Sequence, residues 1–209
     1  ALKRADLEIE ELVFVNKNGK RTGALDIYKF RKLLNLRYYN LLRSDLSEII
    51  YEQLDKEVEV IFGDSITNIE QTDGGTSVTF KSGRVRSFDL AVGADGLHSN
   101  VRKLIFGDEQ QFEHYFGYYT AAFTVGNYLP AGHPIRENSS FVSYTDAGKQ
   151  VNIYPVKGNK LITLFILSPD KKLPVAHGDT GAQKELLRRW FSSVGWESPA
   201  LLQRLDTAP

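Results

Sequence analysis

The stretch Asp89-Leu90-Ala91-Val92-Gly93-Ala94-Asp95-Gly96, followed by Ser99 and Arg102, constrains the fold more than any other part of this sequence. Three apolar residues running into two closely spaced glycines read as a short buried strand that ends in a sharp turn. Ser99 is placed to cap a helix through Val101, Leu104 and Ile105. A buried strand feeding a helix needs a sheet beside it and a layer over it, so a layered mixture of helix and strand is expected. Gly93 and Gly96 remove side chains where another group approaches the backbone. The helix start is expected to offer unpaired amides and a partial positive charge, which suit a phosphate. Asp95, between the glycines, is able to accept from a sugar-type hydroxyl, hold a neighbouring arginine, or satisfy local amides.

The surrounding pattern supports that layering. Leu12 to Val15 followed by Asn18-Gly19 predicts strand, tight turn, strand over about 12–26. Ser44-Asp45-Leu46 opens a predicted helix, with Ser44 as its cap and Leu46, Ile49, Ile50 and Leu54 on one face. A strand is expected at 58–62, and a hairpin joins 76–80 to 84–88 through Lys81-Ser82-Gly83. From Tyr115 the character changes to strand-like runs at 118–125, 140–144, 151–154 and 161–167, joined by polar turns. An amphipathic helix follows at 182–194, carried by Leu187, Trp190, Phe191 and Val194, and a short helix at 199–205. The expected class is α+β, in two closely packed parts. Residues 1–114 mix helix and strand, and residues 115–209 form a largely antiparallel sheet with a terminal helix.

Composition removes several classes of function. Lys plus Arg and Asp plus Glu are 26 each, and the resulting neutrality argues against nucleic-acid or anionic-membrane binding. The absence of cysteine excludes disulfides, zinc-thiolate sites, iron–sulfur clusters and thiol nucleophiles. There is no apolar run long enough for a membrane span and no signal-peptide pattern, so a cytoplasmic location is expected. No Gly-x-Gly, phosphate loop or nucleophile elbow occurs. His98, His114, His133 and His177 are scattered without ligand spacing, so no metal site is expected. The absence of Met and the start at Ala1 lead to the expectation of an internal segment of a longer chain. Catalytic residues and oligomeric state stay unassigned.

Arg43 stands immediately before Ser44-Asp45-Leu46. Alone it reads as a solvated arginine, but from a helix entrance its planar fork is able to hold a diphosphate bidentately. Gly93-Ala94-Asp95-Gly96-x-x-Ser99-x-x-Arg102, with Arg43-Ser44-Asp45-Leu46 about 50 residues upstream, resembles a paired cofactor motif of the FAD-dependent aromatic-ring hydroxylases. This is the para-hydroxybenzoate hydroxylase type of flavoprotein monooxygenase, which includes tetracycline-inactivating enzymes. The order of strands followed by an amphipathic helix is similar to that family's substrate-binding sheet.

The resemblance implies FAD as cofactor and NAD(P)H as transient reductant. It implies that Arg43 contacts the FAD diphosphate or ribityl chain, and that Asp95 and Gly96 lie beside the diphosphate. Arg102 would be structural. Residues 1–114 would be a partial FAD-binding domain, and the sheet after 115 would cover the flavin ring and line the substrate cavity. Tyr118, Tyr119, Phe123, Tyr144 and Tyr154 are its aromatic candidates for contact with substrate, with core packing the alternative use of each. The implied activity is hydroxylation of a small aromatic or other electron-rich, apolar molecule. The family's opening strand–Gly-x-Gly-x-x-Gly–helix and its later Gly-Asp motif are not in this sequence, so flavin binding by these residues alone is expected to be weak. A related flavin enzyme, such as a halogenase or polyprenyl reductase, and a non-catalytic small-ligand-binding module are the alternatives.

Overall fold

Strand-period sequence at both ends of the chain builds one sheet. The computed structural model describes all residues except 36, 127, 129–134, 136–138, 158–159, 175–177 and 208–209. By its contacts the chain divides into two units, Ala1–Gln53 with Phe116–Pro209, and Leu54–Tyr115.

In the first unit, a single turn of helix, α1 (Leu2–Ala5), leads to the hairpin β1 (Glu11–Val15) and β2 (Arg21–Asp26). The Asn16 side chain accepts the Asn18 and Lys20 amides at 3.0 Å, and Gly19 sits at φ +77°, which closes the turn that Asn18-Gly19 predicts. Two helices follow, α2 (Ile27–Leu33), capped by Asp26, and α3 (Arg43–Tyr51). The buried Asp6 carboxylate ties these segments together. It accepts from Arg31 at 2.9–3.1 Å and from the Asn40 amide at 3.0 Å.

The later strands are β6 (Tyr119–Gly126), β7 (Ser140–Asp146), β8 (Lys149–Val156) and β9 (Lys160–Leu167). With the hairpin they form a six-stranded sheet in the order β2-β1-β7-β8-β9-β6. All its pairings are antiparallel except β1 with β7, where Val13 lies opposite Val142. Helices α5 (Thr180–Phe191) and α6 (Ser198–Gln203) supply the layer over one face. Val13, Val142, Val151, Ile153 and Phe165 on that face join Leu187, Phe191, Val194 and Leu201 in one core. The Phe165 and Phe191 rings meet edge to face at 4.8 Å, and both are fully buried. Each such burial is worth about 1.5–3 kcal/mol.

The second unit is smaller. Strands β3 (Ile66–Thr72), β4 (Gly75–Phe80) and β5 (Val85–Phe88) form an antiparallel sheet, and α4 (Asn100–Phe106) packs on β3. Asp64 braces the β4–β5 turn, accepting the Ser82 hydroxyl at 2.6 Å, the Ser82 amide at 3.1 Å and Arg84 at 3.1 Å. These bonds, the Ser82 hydroxyl foremost, hold its carboxyl down at about 2.

Several expectations need correction. The α+β class holds, but residues 1–114 do not stay together as one part. The hairpin expected there pairs with β7 and so joins the later sheet. Residues 58–62 and 90–92 are not strands. Both runs have strand-forming sequence, yet a strand exists only by hydrogen bonding to a neighbour, and among the described residues none lies beside them. The Leu90 to Val92 run is therefore not buried either: Leu90 is 75% and Val92 78% exposed. Ser44 is not a cap. The helix begins one residue earlier, Leu42 occupies the cap position, and the Ser44 hydroxyl donates to Asp45 at 3.2 Å. Leu54 lies beyond that helix.

Candidate functional site

The Asp-Gly turn is held from within the second unit. Ser99 caps α4, its Oγ accepting the Arg102 amide at 3.0 Å while its hydroxyl donates to Asp95 Oδ1. Asp95 Oδ2 accepts the Val101 amide at 3.0 Å. The Ser99 hydroxyl first, and the Val101 amide next, hold the Asp95 carboxyl below its ordinary value. Asp95 therefore stays ionised with both oxygens engaged locally.

This arrangement overturns the expectation of unpaired amides at the helix start. The Val101 and Arg102 amides go to side chains, and the Lys103 amide goes to the Ser99 carbonyl at 3.2 Å. The two glycines also act differently from one another. A Cβ on Gly93 would lie 2.7 Å from Val101 Cγ1, so the close approach at Gly93 is by its own helix. Gly96 adopts φ +84° with no atom within 4 Å of the place a Cβ would occupy. Its backbone is in the left-handed region and its side is open.

Arg102 is a structural residue of the same turn. Its guanidinium donates to the Leu97 carbonyl at 2.5 Å, lies 3.9 Å from Glu109 and sits over the Phe112 ring at 5.7 Å. His98 Nδ1 meets Glu109 Oε1 at 2.6 Å. His133 and His177 lie outside the described residues, and among the described residues no His, Asp and Glu cluster has metal-binding geometry.

Arg43 presents the opposite picture in the first unit. It is the first residue of α3 and exposed, and its guanidinium has no ion pair or hydrogen bond among the described residues. A cation at the positive end of a helix is electrostatically unfavourable until an anion joins it. Arg43 belongs to one unit, while Asp95 and Gly96 belong to the other.

The sheet of the first unit sorts the aromatic candidates by register. Tyr119, Phe123 and Tyr144 point to the helix-covered face. The Tyr119 hydroxyl exchanges hydrogen bonds with Leu173, Phe123 stacks on Phe165, and Tyr144 packs near Trp196. These three serve the core. A cavity of about 600 Å³ opens on that same side, lined by Val13, Val15, Val142 and Trp196 together with the Glu11–Arg21 ion pair. Tyr118 is exposed and precedes β6.

Tyr154 alone of the five lies on the other face, stacked on Phe141 with centroids 5.2 Å apart and planes 10° from parallel. Ser143 and Asn152 share that face and are 2% exposed. Gln150 donates to Ser143 Oγ at 3.0 Å. Sequence reading passed over Phe141, Ser143, Gln150 and Asn152, because strand alternation leaves the choice of face open until the helix layer is placed.

No protein-family model matches the chain. It is 37% identical over 169 residues to an uncharacterized protein of Mycobacterium tuberculosis, covering 81% of this chain and 44% of that protein. It is 31% identical over 165 residues to a flavin-dependent monooxygenase of Legionella longbeachae, covering 79% of this chain and 41% of the relative. The crystal structure of a tetracycline destructase superposes on 99% of this chain and 51% of its own, with a TM-score of 0.75 and 25% identity. The fold alone is shared with Klebsiella pneumoniae HpxO complexed with FAD and uric acid, at a TM-score of 0.61 and 19% identity over 93% of this chain and 48% of that one. The chain thus spans about half the length of the relatives it matches.

Proposed function

We infer that this chain, homologous to the flavin-dependent monooxygenases over about half of their length, serves in an FAD-dependent monooxygenase. Its reaction is hydroxylation of a small aromatic or other electron-rich molecule, with NAD(P)H as the transient reductant. The observation that carries this reading is the 31% identity to a flavin-dependent monooxygenase across 79% of the chain.

The residues present fit a flavin dinucleotide. Arg43 is an uncommitted guanidinium at a helix start, the donor geometry that a diphosphate takes up in two parallel hydrogen bonds. Gly96 offers an open backbone that a cofactor phosphate is able to approach without meeting a side chain. Asp95 has a positioning role. Through its bonds with Ser99 and Val101 it fixes the turn that presents Gly96 beside the diphosphate. When bound, FAD supplies the electron transfer and oxygen activation that side chains lack. The chain's own part is to bind the dinucleotide, orient the substrate ring and exclude water from the reacting centre.

The test is flavin retention in the full-length enzyme. A charge-assisted hydrogen bond contributes about 1.5–3 kcal/mol, so Arg43→Ala is expected to weaken FAD binding roughly 10- to 100-fold. Arg43→Lys, which keeps the charge and loses the fork, restores only part of it. Flavin absorbance after gel filtration and the rate of reduction by NAD(P)H give the readout. Wild-type occupancy and reduction in both variants would remove Arg43 from the cofactor site. A full-length protein that neither takes up FAD nor consumes oxygen would remove the monooxygenase reading altogether.

A further inference from the structure

The sheet face away from α5 and α6 is almost free of charge. In register across its strands lie Phe14 on β1, Phe141 and Ser143 on β7, Asn152 and Tyr154 on β8, and Leu164 on β9. The neighbours that complete these rows on β6 to β9 are Thr, Ala, Ile, Val and Gln, and Lys160, at the outer end of β9, is the one charged residue in them. The opposite face carries Glu11 and Arg21 as an ion pair.

The two side-chain amides within this face share one sense. Asn152 is 2% exposed, and its amide nitrogen donates to the Leu164 carbonyl at 3.3 Å. Gln150 spends its nitrogen on Ser143 Oγ at 3.0 Å and Thr145 Oγ1 at 3.3 Å. In both side chains the amide N–H is committed, and the carbonyl oxygen has no hydrogen-bond partner among the described residues. A carbonyl oxygen accepts and does not donate. Beside these acceptors, the Phe141–Tyr154 stack gives a flat apolar wall. Burial keeps the Tyr154 phenol above its ordinary value, so it remains neutral.

We propose that this face takes a neutral, planar ring bearing a hydroxyl or N–H donor, and discriminates against rings bearing a carboxylate. The inference rests on the monooxygenase reading for its occupant, the substrate, and names that substrate's class. A carboxylate set beside Gln150 and Asn152 would be stripped of water, would lie across from Leu164 and Ile166, four and six residues along β9 from Lys160, and would face the two amide carbonyls. A phenol or N-heterocycle donates to those same oxygens while its ring lies against the aromatic pair.

The test uses two nearly isosteric probes, 6-hydroxy-2-naphthamide and 6-hydroxy-2-naphthoate, with the full-length enzyme at pH 7. Equilibrium dialysis reads their binding without turnover. The naphthamide is expected to bind at least about tenfold more tightly, a difference of about 1.4 kcal/mol. Gln150→Lys, which places a cation on the face, is expected to reverse the order. Thr145→Lys, at an exposed position on the same face, is expected to move it the same way while leaving the Gln150 bond to Ser143 Oγ in place. Equal or tighter binding of the naphthoate by the unaltered enzyme overturns the proposal, as does failure of both probes to bind. A preference that both lysine variants leave unchanged also overturns it, since the selection then lies elsewhere. Flavin content, measured separately, reports on the monooxygenase reading and does not enter the dialysis result.

Discussion

At the residue scale, the second unit depends on two carboxylates that hold turns. Asp64 braces the β4–β5 turn through Ser82 and Arg84, and Asp95 braces the entry to α4 through Ser99 and Val101. Each is held below its ordinary value by the hydrogen bonds it accepts, Asp64 from 3.8 to about 2. Unfolding releases those bonds and raises both carboxyls to ordinary values. For Asp64 the stabilisation is therefore complete above about pH 4 and is lost as pH falls from there toward about 2, and that of Asp95 is likewise lost on acidification below the ordinary carboxylate value. Amide exchange followed by NMR between pH 6 and pH 2 is expected to show the Ser82 amide losing protection over that window, and the Val101 amide losing protection on acidification as well. Ser82→Ala removes the largest support of Asp64 and is expected to flatten the pH response at Ser82 while leaving Val101 unchanged. A response at both amides that is the same with and without Ser82 would show that neither carboxylate controls its turn.

At the element scale, the closest side-chain approach between the Asp-Gly turn and α4 is that of Gly93 to Val101. Gly93→Ala would push a methyl to 2.7 Å from Val101 Cγ1, and overpacking of this kind costs about 1–3 kcal/mol. Val101→Ala vacates that space, so the double variant is expected to recover part of the loss. A double-mutant cycle by urea denaturation measures the coupling, and strictly additive effects would show that the two residues do not press on each other. The same region shows where sequence was legible. Ser99 as a cap, Asn18-Gly19 as a turn, the strands from 119 to 167 and the two closing helices all follow from local chemistry, and they appear within a few residues of their expected places. The failures share a cause. Residues 58–62 and 90–92 have strand sequence but no partner, and the parallel pairing of β1 with β7 joins segments too distant for any local pattern to reveal. Helix α2 and strand β3 carry little periodic signal in the sequence, the first because it is only seven residues long and the second because Ile66–Thr72 does not alternate. At the site, residue types identified the Asp-Gly turn and Arg43, whereas the partners that commit Asp95 and leave Arg43 uncommitted required coordinates.

At the scale of the whole molecule, the two units are unequal. The first encloses a continuous core between sheet and helices. In the second, Val78 is the one apolar side chain among the described residues that is buried, while Phe62 and Leu90 are each 75% exposed and Val92 is 78% exposed. A domain is held against its chain entropy chiefly by apolar burial, so the second unit has far less to resist opening. Hydrogen exchange of the 209-residue chain, read by mass spectrometry, is expected to separate the units. Peptides from β3 to β5 should exchange well before those from β7 to β9, and urea should release the former at lower concentration. A dye that reports exposed apolar surface should bind the chain before any denaturant is added, and lose that binding if Phe62, Leu90 and Val92 are all changed to serine. The chain spans about half the length of its relatives, and the full-length enzyme gives the decisive contrast. If further structure covers these three residues there, the β3–β5 peptides will be protected as strongly as the sheet core. Uniform exchange across both units in the 209-residue chain would instead mean that the strand ladder and the Asp64 and Asp95 turns suffice without a core.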